Sequence, residues 1–313
     1  MYIGVDFLID PELRLYLSEI NTGVPGGAQE YDLIHRVKYS TPSGIFDRID
    51  ALSRKNFGKN FYDYTNSLPY IDDLRALKIW MDGQGPLPTD PAPELKLEDK
   101  WVQYLLLSNR YQMILTRIYA RERHKSLAKE FQKNRPIVLK KRLGRGGKGF
   151  LIAEDISKLE ALDLEDDLYL IQPYVHSQVG DLKLSLRAAA FVGEFLCMFA
   201  NLSPRLTSNH GYRFSVSPGE GLRLSDQNFR TRRMVQKSWE ADVFFNGDIP
   251  DYLSENTSVE DIAEAELTIP QPVYETIEQT AASISRLYMD LDFEELPRCY
   301  IEDGKHSIKK RQR

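Results

Sequence analysis

The stretch that decides the fold is residues 135–154, RPIVLKKRLGRGGKGFLIAE. It holds two short runs of apolar β-forming residues, 136–139 and 150–153. Between the runs lie basic side chains and the glycines Gly144, Gly146, Gly147 and Gly149. The pattern predicts a β-hairpin with a glycine-rich tip. Because glycine lets backbone N–H groups approach an anion closely, and the cations add charge, a polyphosphate is the expected ligand.

Three known phosphate-binding motifs fit this hairpin less well. Gly144-x-Gly146-x-x-Gly149 matches the dinucleotide fingerprint, but that motif leads from a strand into a helix, whereas FLIA continues as a strand. The Walker A motif needs Ser or Thr after its lysine, and Gly149 follows Lys148. A protein kinase would keep the hairpin, but the chain lacks VAIK-like, HRD and DFG segments. An exposed basic turn remains the alternative for the loop taken alone.

Composition limits the class of protein. The chain has 313 residues, 42% of them hydrophobic and 28% charged, enough for one large or two modest domains. The net charge of −5 gives no indication of nucleic acid. Cys197 and Cys299 lack the spacing of a zinc site, and reduced, cytosolic thiols are expected. Asp6 lies too early for a signal peptide, and residues 188–200 are too short for a membrane span, so a cytoplasmic protein is expected.

The N-terminal segment contains a second candidate site. Residues 2–9 and 13–20 alternate like two strands joined by a turn at residues 10–12. In such a hairpin Asp6, Glu19 and Asn21 come close together, and Glu19 and Asn21 share one face of their strand. These oxygen-bearing side chains suit Mg²⁺ that also binds substrate phosphates. A solvent-exposed hairpin face is the alternative.

The pattern D-x12-E-x-N followed by TGVPGG (residues 22–27) resembles the terminal magnesium-binding segment of the ATP-grasp ligases, the group of D-alanine–D-alanine ligase and glutathione synthetase. That family places this segment last, directly after a helix, and residues 273–288 carry a helical apolar stripe. The resemblance therefore implies a circularly permuted ATP-grasp protein. Its fold class is α+β, with two subdomains clasping ATP between antiparallel sheets. A rival metal segment contains Asp292 and Glu302, with shorter spacing and no matching Asn.

The resemblance also assigns the nucleotide-binding residues. Lys100, in a D-K pair that begins a helix, would contact ATP phosphate, although an exposed helix face explains it equally well. Lys140 would bridge the α- and β-phosphates; because Lys141 stands where the family has proline, either lysine could act. The strand 168–175 resembles the adenine hinge, where Gln172 and backbone groups at Tyr174 and Val175 would read the base. Gln178 would bind the ribose.

Three residues receive catalytic roles from the resemblance. Residues 184–192 resemble the family's D-x-R strand, with Ser185 in place of the aspartate. The resemblance puts Arg187 on the γ-phosphate, while an ion pair with Glu194 or another carboxylate is the structural alternative. Arg205 and Asn209 would lie in a loop near the transferred phosphate.

The resemblance to the ATP-grasp ligases also divides the chain into five segments. Residues 1–27 form the magnesium hairpin and residues 28–95 a helical substrate or linker region. In that region Ser43 caps a helix through Leu52 with Gly58 as its stop, and a second helix spans residues 71–81. The other segments are the glycine-rich subdomain 96–175, a C-terminal subdomain 176–290 with an insertion at 217–270, and a tail at 291–313.

The expected function is an ADP-forming carboxylate–amine ligase that works through an acyl-phosphate and uses ATP with two Mg²⁺ ions. Its partners would be small-molecule or peptide carboxylates and amines, without nucleic acid or membrane, and a homodimer is one way to complete the substrate pocket. Two alternatives remain: a kinase of the same fold that phosphorylates a small hydroxyl substrate, and an ATP-binding scaffold without turnover.

Overall fold

The computed structural model describes residues 1–121, 126, 136–147, 149–154, 158, 162, 164–204, 211–245 and 257–303. In these residues the fold is α+β, with one mixed and one antiparallel sheet. The chain divides into two compact units. The first comprises Met1–Leu15, Ile20–Ile71 and Ser177–Leu291, and the second comprises Tyr16–Glu19, Asp72–His176 and Asp292–Arg313.

The described helices fall mainly in the region 28–107 and near residue 280. They are α1 (Ala28–Tyr39), α2 (Ile45–Phe57), α3 (Phe61–Asn66), α4 (Ile71–Met81), a 3-10 helix (Pro93–Glu98), α5 (Lys100–Leu107), α6 (Trp239–Phe244) and α7 (Gln271–Leu287). The predicted helix over residues 71–81 is confirmed. For α2 the predicted N-cap is wrong, because Gly44 occupies that position instead of Ser43. The predicted stop at Gly58 is confirmed: the helix runs past Leu52 and ends at Gly58, which has a φ of 70°.

The large sheet contains β1 (Tyr2–Ile9), β2 (Leu15–Asn21), β7 (Gln178–Val179), β8 (Leu182–Phe191), β9 (Glu194–Ser203), β10 (Tyr212–Gly219), β11 (Arg223–Leu224), β12 (Thr231–Lys237) and β13 (Thr257–Pro270). The strand order is β11-β13-β10-β9-β8-β1-β2, with β12 also paired to β13 and β7 to β8. The predicted N-terminal strands are confirmed, with small shifts in the bounds of β2. The predicted insertion 217–270 contributes β11, β12 and β13 to this sheet.

Two helices pack against the large sheet. In α1, Leu33 and Ile34 form a buried cluster with Phe199 of β9 and Ile262 of β13. In α7, the buried residues Ile277, Ala281 and Ile284 recur at helical spacing, and the helix packs against β8 and β9. The side chain of Ser285, in the last turn of α7, donates to the Met1 carbonyl at 3.0 Å. The end of α7 therefore lies beside the beginning of β1.

The second unit is built on a smaller antiparallel sheet in the order β3-β6-β4-β5. Its strands are β3 (Arg117–Ile118), β4 (Ile137–Lys141), β5 (Leu151–Ala153) and β6 (Tyr169–Pro173). Strands β4 and β5 are the two arms of the predicted glycine hairpin, with Ile137 opposite Ala153 and Leu139 opposite Leu151. One face of the sheet is buried around Ile137, Leu139, Ile171 and Tyr119. The hairpin is therefore anchored by a hydrophobic core, and its glycines lie beyond that core.

Candidate functional site

Asp6, Arg187 and Asn21 form a hydrogen-bonded cluster in the first unit. Arg187 stands directly opposite Asp6 in the β1–β8 register. Its Nε and Nη2 atoms each donate to one oxygen of Asp6, both at 2.7 Å. Asn21 Nδ2 donates to Asp6 Oδ2 at 2.9 Å. The partner of Arg187 is thus a carboxylate distant in sequence, whereas the suggested partner Glu194 lies 3.6 Å from Arg48.

Glu19 and Asn21 are two residues apart in β2, so their side chains leave the strand on the same side. Tyr16–Glu19 belong to the second unit, where Leu17 N donates to Gln112 O at 2.8 Å. The Glu19 side chain is 20% exposed, and its Oε1 lies 3.7 Å from Lys100 Nζ. Glu19 is therefore held in a polar, largely buried position next to a cation.

Lys100 and Lys140 lie at the base of the glycine hairpin. Lys100 Nζ donates to the carbonyl oxygen of Gly144 at 2.7 Å. Lys140 Nζ donates to Ser18 Oγ at 3.2 Å, and Ser18 directly precedes Glu19. Within the second unit the contacts thus connect the acidic end of β2, both predicted lysines and the first glycine of the hairpin. None of these pairings follows from closeness in sequence.

The hairpin tip has the backbone conformation that glycine favours. Gly146, Gly147 and Gly149 have φ values of 60°, 70° and 75°, in the left-handed region that other residues enter only at a cost. A Cβ on Gly149 would lie 2.7 Å from the Lys141 side chain. Lys141 therefore packs across the hairpin against Gly149. Lys140 instead extends toward Ser18.

Strand β6 carries the predicted adenine hinge. Gln172 is buried, and its Nε2 donates to Thr116 Oγ1 at 2.8 Å. Its Oε1 is buried without a hydrogen-bond partner in the described part of the chain. An orphaned buried acceptor is unfavourable, and a ligand donor such as an amino group would satisfy it. Tyr174 N donates to Pro136 O at 2.9 Å, and Val175 follows it outside the strand.

Gln178, predicted to bind the ribose, is exposed in β7 of the first unit, and its Oε1 accepts from Lys183 at 2.9 Å. Arg205 and Asn209 lie outside the described residues. Asp292 and Glu302 of the rival metal segment serve local contacts instead. Asp292 accepts from Glu294 N at 3.0 Å, and Glu302 from Cys299 N at 2.9 Å.

A buried ion pair that the sequence did not reveal fixes the position of Lys100. Asp99 caps α5 by accepting from Trp101 N at 2.8 Å. Its Oδ2 lies 2.7 Å from Arg142 Nη2, and both side chains are 0% exposed. Burial alone lowers the pKa of Arg142, but the carboxylates of Asp99 and Asp303 more than offset this and raise it. Arg142 O also accepts from Lys100 N at 3.1 Å, so the pair joins the start of α5 to the hairpin.

Within the described residues, no group of three or more His, Cys, Asp or Glu side chains is placed to hold a metal ion. No described helix is both long enough and apolar enough to cross a membrane.

No protein-family model matches the chain, and comparisons with curated proteins and with solved structures give no match. Any functional assignment therefore depends on the residues and their geometry.

Proposed function

We propose that the protein is an ATP-dependent carboxylate–amine ligase with a circularly permuted ATP-grasp arrangement. The single observation that carries the proposal is the position of Lys100 Nζ, 2.7 Å from Gly144 O and 3.7 Å from Glu19 Oε1. Residues from three separate sequence segments, which the resemblance assigns to ATP or to its magnesium ions, meet at this ammonium group. The Ser285 to Met1 hydrogen bond adds support, since the resemblance requires a helix that leads into β1.

The hairpin is well suited to a triphosphate. Its left-handed glycines open the backbone to close approach by phosphate oxygens, and Lys100 and Lys140 supply positive charge at its base. Gln172 Oε1, which has no hydrogen-bond partner among the described residues, is suited to an exocyclic amino group of a base. These features favour a nucleoside triphosphate as the ligand over a simple inorganic anion.

The donor set also fits magnesium at Glu19 and Asn21, which offer a carboxylate and an amide oxygen from one side of β2. Asp6 already accepts three hydrogen bonds, and a carboxylate has about four acceptor sites. Its contribution to a metal is therefore limited while Arg187 stays in place. When bound, magnesium would neutralise charge on the phosphates.

In the proposed reaction an oxygen of the substrate carboxylate attacks the γ-phosphorus of ATP, and ADP leaves. The nitrogen of an amine then attacks the acyl-phosphate carbon, and inorganic phosphate leaves. Lys100 and Lys140 hold the triphosphate. The resemblance assigns Arg187 to the transferred phosphoryl group, whose negative charge a guanidinium stabilises. No nucleophilic side chain of the protein is needed.

The test is ADP release from ATP with amino acids and short peptides as substrates, measured for the wild type and Glu19→Gln. The ligase releases ADP only when a carboxylate and an amine are both present, and Glu19→Gln loses turnover but keeps its fold. Transfer of labelled γ-phosphate to a stable ester would instead identify a kinase.

The engagement of Asp6 by Arg187 favours one second candidate, an ATP-binding scaffold without turnover. A carboxylate held by two short hydrogen bonds from a guanidinium is a weak metal ligand. ATP binding that survives Glu19→Gln, together with no ADP release for any substrate pair, would support this candidate.

A further inference from the structure

A row of side chains crosses the large sheet of the first unit. Asp6 of β1 faces Arg187 of β8, and Arg187 faces Phe199 of β9 in the strand register. The guanidinium of Arg213, in β10, lies over the Phe199 ring at 5.9 Å from its centroid. Arg213 Nη2 is 3.0 Å from Glu260 Oε2, on β13. The row thus has a carboxylate at each end and two guanidinium groups between them.

Arg213 is held firmly but retains one donor. Its Nη1 donates to Asn201 Oδ1 at 2.5 Å and to Gly211 O at 3.3 Å. Its Nε is buried and has no hydrogen-bond partner within the described residues. An unsatisfied buried N–H is costly. A ligand oxygen that accepted this hydrogen bond would remove the cost.

Glu260, a carboxylate of the first unit, has a strongly raised pKa. Burial raises its pKa to about 7, the Arg213 and Arg187 charges oppose that rise, and Glu30 and Asp261 add to it. Glu30 lies in α1 and Asp261 is the next residue of β13, while Met234, opposite Glu260 in β12, is uncharged. A carboxyl group that titrates near neutral pH is suited to general acid–base chemistry.

The charge balance around Glu260 favours a cationic ligand. Four carboxylates and three guanidinium groups lie in this neighbourhood. The carboxylates are those of Asp6, Glu30, Glu260 and Asp261, and the guanidinium groups are those of Arg187, Arg213 and Arg233. Arg233 lies 3.8 Å from Asp261. A ligand that carries an ammonium group near a carboxylate or phosphoryl oxygen would complement both the negative excess and the donor of Arg213.

We propose that Glu260 is the base that accepts the proton of the attacking amine, and that Arg213 is its positioning residue. This inference rests on the proposed ligase function. The amine arrives as an ammonium ion, and a Glu260 oxygen takes one proton. The freed nitrogen lone pair forms the C–N bond at the acyl-phosphate carbon while the C–O bond to phosphate breaks. The phosphate leaves with that electron pair and takes up the second nitrogen proton as HPO₄²⁻, and Glu260 returns its proton to solvent.

Hydroxylamine separates this step from acyl-phosphate formation, because it is an uncharged nucleophile at neutral pH and needs no base. The wild type, Glu260→Gln and Glu264→Gln are each given ATP and the amino acids or dipeptides, with either hydroxylamine or the amine substrates as acceptor. We expect Glu260→Gln to form hydroxamate at the wild-type rate. At pH 7 its amide formation should fall by about 100-fold, within the range for loss of a general base, and should recover as pH rises and the amine deprotonates itself. Glu264→Gln, a carboxylate of the same strand paired with Arg232, should match the wild type in both assays.

The outcomes distinguish the two proposals. Amide formation at the wild-type rate in Glu260→Gln would overturn the role of Glu260 and leave the ligase standing. Loss of hydroxamate formation in folded Glu260→Gln would also overturn it, because Glu260 would then act before the amine. If Glu260→Gln does not fold, Glu260→Asp replaces it and must slow amide formation more than hydroxamate formation. Absence of hydroxamate in the wild type with every donor would overturn both the inference and the ligase.

Discussion

Arg187 and Asp6 are joined by two hydrogen bonds of 2.7 Å although they lie 181 residues apart in the sequence. The two side chains are 28% and 20% exposed, so the ion pair is neither at the open surface nor in the dry interior. The pair joins β1 to β8 on the face of the sheet that also carries Phe199. Arg187 thus binds the carboxylate that the sequence analysis predicted to bind magnesium. The strength of this ion pair determines whether Asp6 can also coordinate a metal ion.

A double-mutant cycle with Asp6→Asn and Arg187→Gln measures that strength. We expect a coupling free energy of more than about 1 kcal/mol, because the pair is better shielded than exposed ion pairs, which contribute about 0–1 kcal/mol. The measurement is chemical denaturation of the four proteins. A parallel cycle on the more exposed pair Arg232–Glu264 should give a smaller value. Equal coupling in the two cycles would contradict the prediction.

The buried pair Asp99–Arg142 should contribute more to stability. Asp99→Asn keeps an N-cap side chain for α5 but leaves a fully buried guanidinium with less negative charge around it. Breaking one side of a buried pair typically costs about 3–5 kcal/mol. Denaturant unfolding should show a loss of that size. Asp72→Asn, which removes a carboxylate that is 88% exposed, is the matched control in the same unit and should change stability little.

Lys100 should control affinity for the nucleotide. Lys100→Met removes the ammonium group between Gly144 and Glu19 and keeps most of the side-chain volume. Hydrogen bonds to charged groups are worth about 1.5–3 kcal/mol, so the Kd for Mg–ATP should rise at least about tenfold. Isothermal calorimetry measures this change. Lys59→Met, at an exposed site in the first unit, should bind as the wild type does, and an unchanged Kd for Lys100→Met would exclude Lys100 from the site.

The pKa of Glu260 predicts a pH dependence of stability. Because the folded-state value is raised to about 7 from 4.5, the folded protein binds this proton more tightly than the unfolded chain does. The favourable contribution of the protonated form is complete below pH 4.5 and is lost as pH rises through about 7. The stability of Glu260→Gln relative to the wild type should therefore increase between pH 5 and pH 8. Glu264→Gln controls for removal of a carboxylate from β13, and a flat Glu260→Gln difference over this interval would contradict the prediction.

Local patterns in the sequence predicted the parts of the fold that depend on local physics. The glycine hairpin was evident because β-forming runs flank glycines that need positive φ. Helix α7 was evident from its apolar stripe, and α4 ran over the predicted residues. In contrast, β13 was not predicted, because its first five residues, TSVED, are mostly polar or acidic and none of them is fully buried. Nothing in the sequence near Glu260 therefore marked its side chain as largely buried.

Long-range pairs were the main omission. Arg142 stands in a run of basic residues, and nothing near it in sequence marks it as buried; its partner Asp99 lies 43 residues away. The partner of Arg187 was placed at Glu194 or another carboxylate, because periodicity shows that an arginine within an apolar strand needs an anion but not which strand supplies it. Such pairings depend on sheet order, which neither periodicity nor turn chemistry determines.

Through its contacts with Asp99 and Arg142, the segment 292–303 also supports the glycine hairpin. Tyr300 N donates to Asp99 Oδ2 at 2.7 Å, the Tyr300 ring lies 5.7 Å from the Arg142 guanidinium, and Asp303 lies 3.4 Å from the same group. A truncation that removes Cys299 and all residues after it would expose the Arg142 guanidinium, which is now enclosed by carboxylates and an aromatic ring. The glycine hairpin would then be destabilised by the removal of residues that lie more than 140 positions downstream of it.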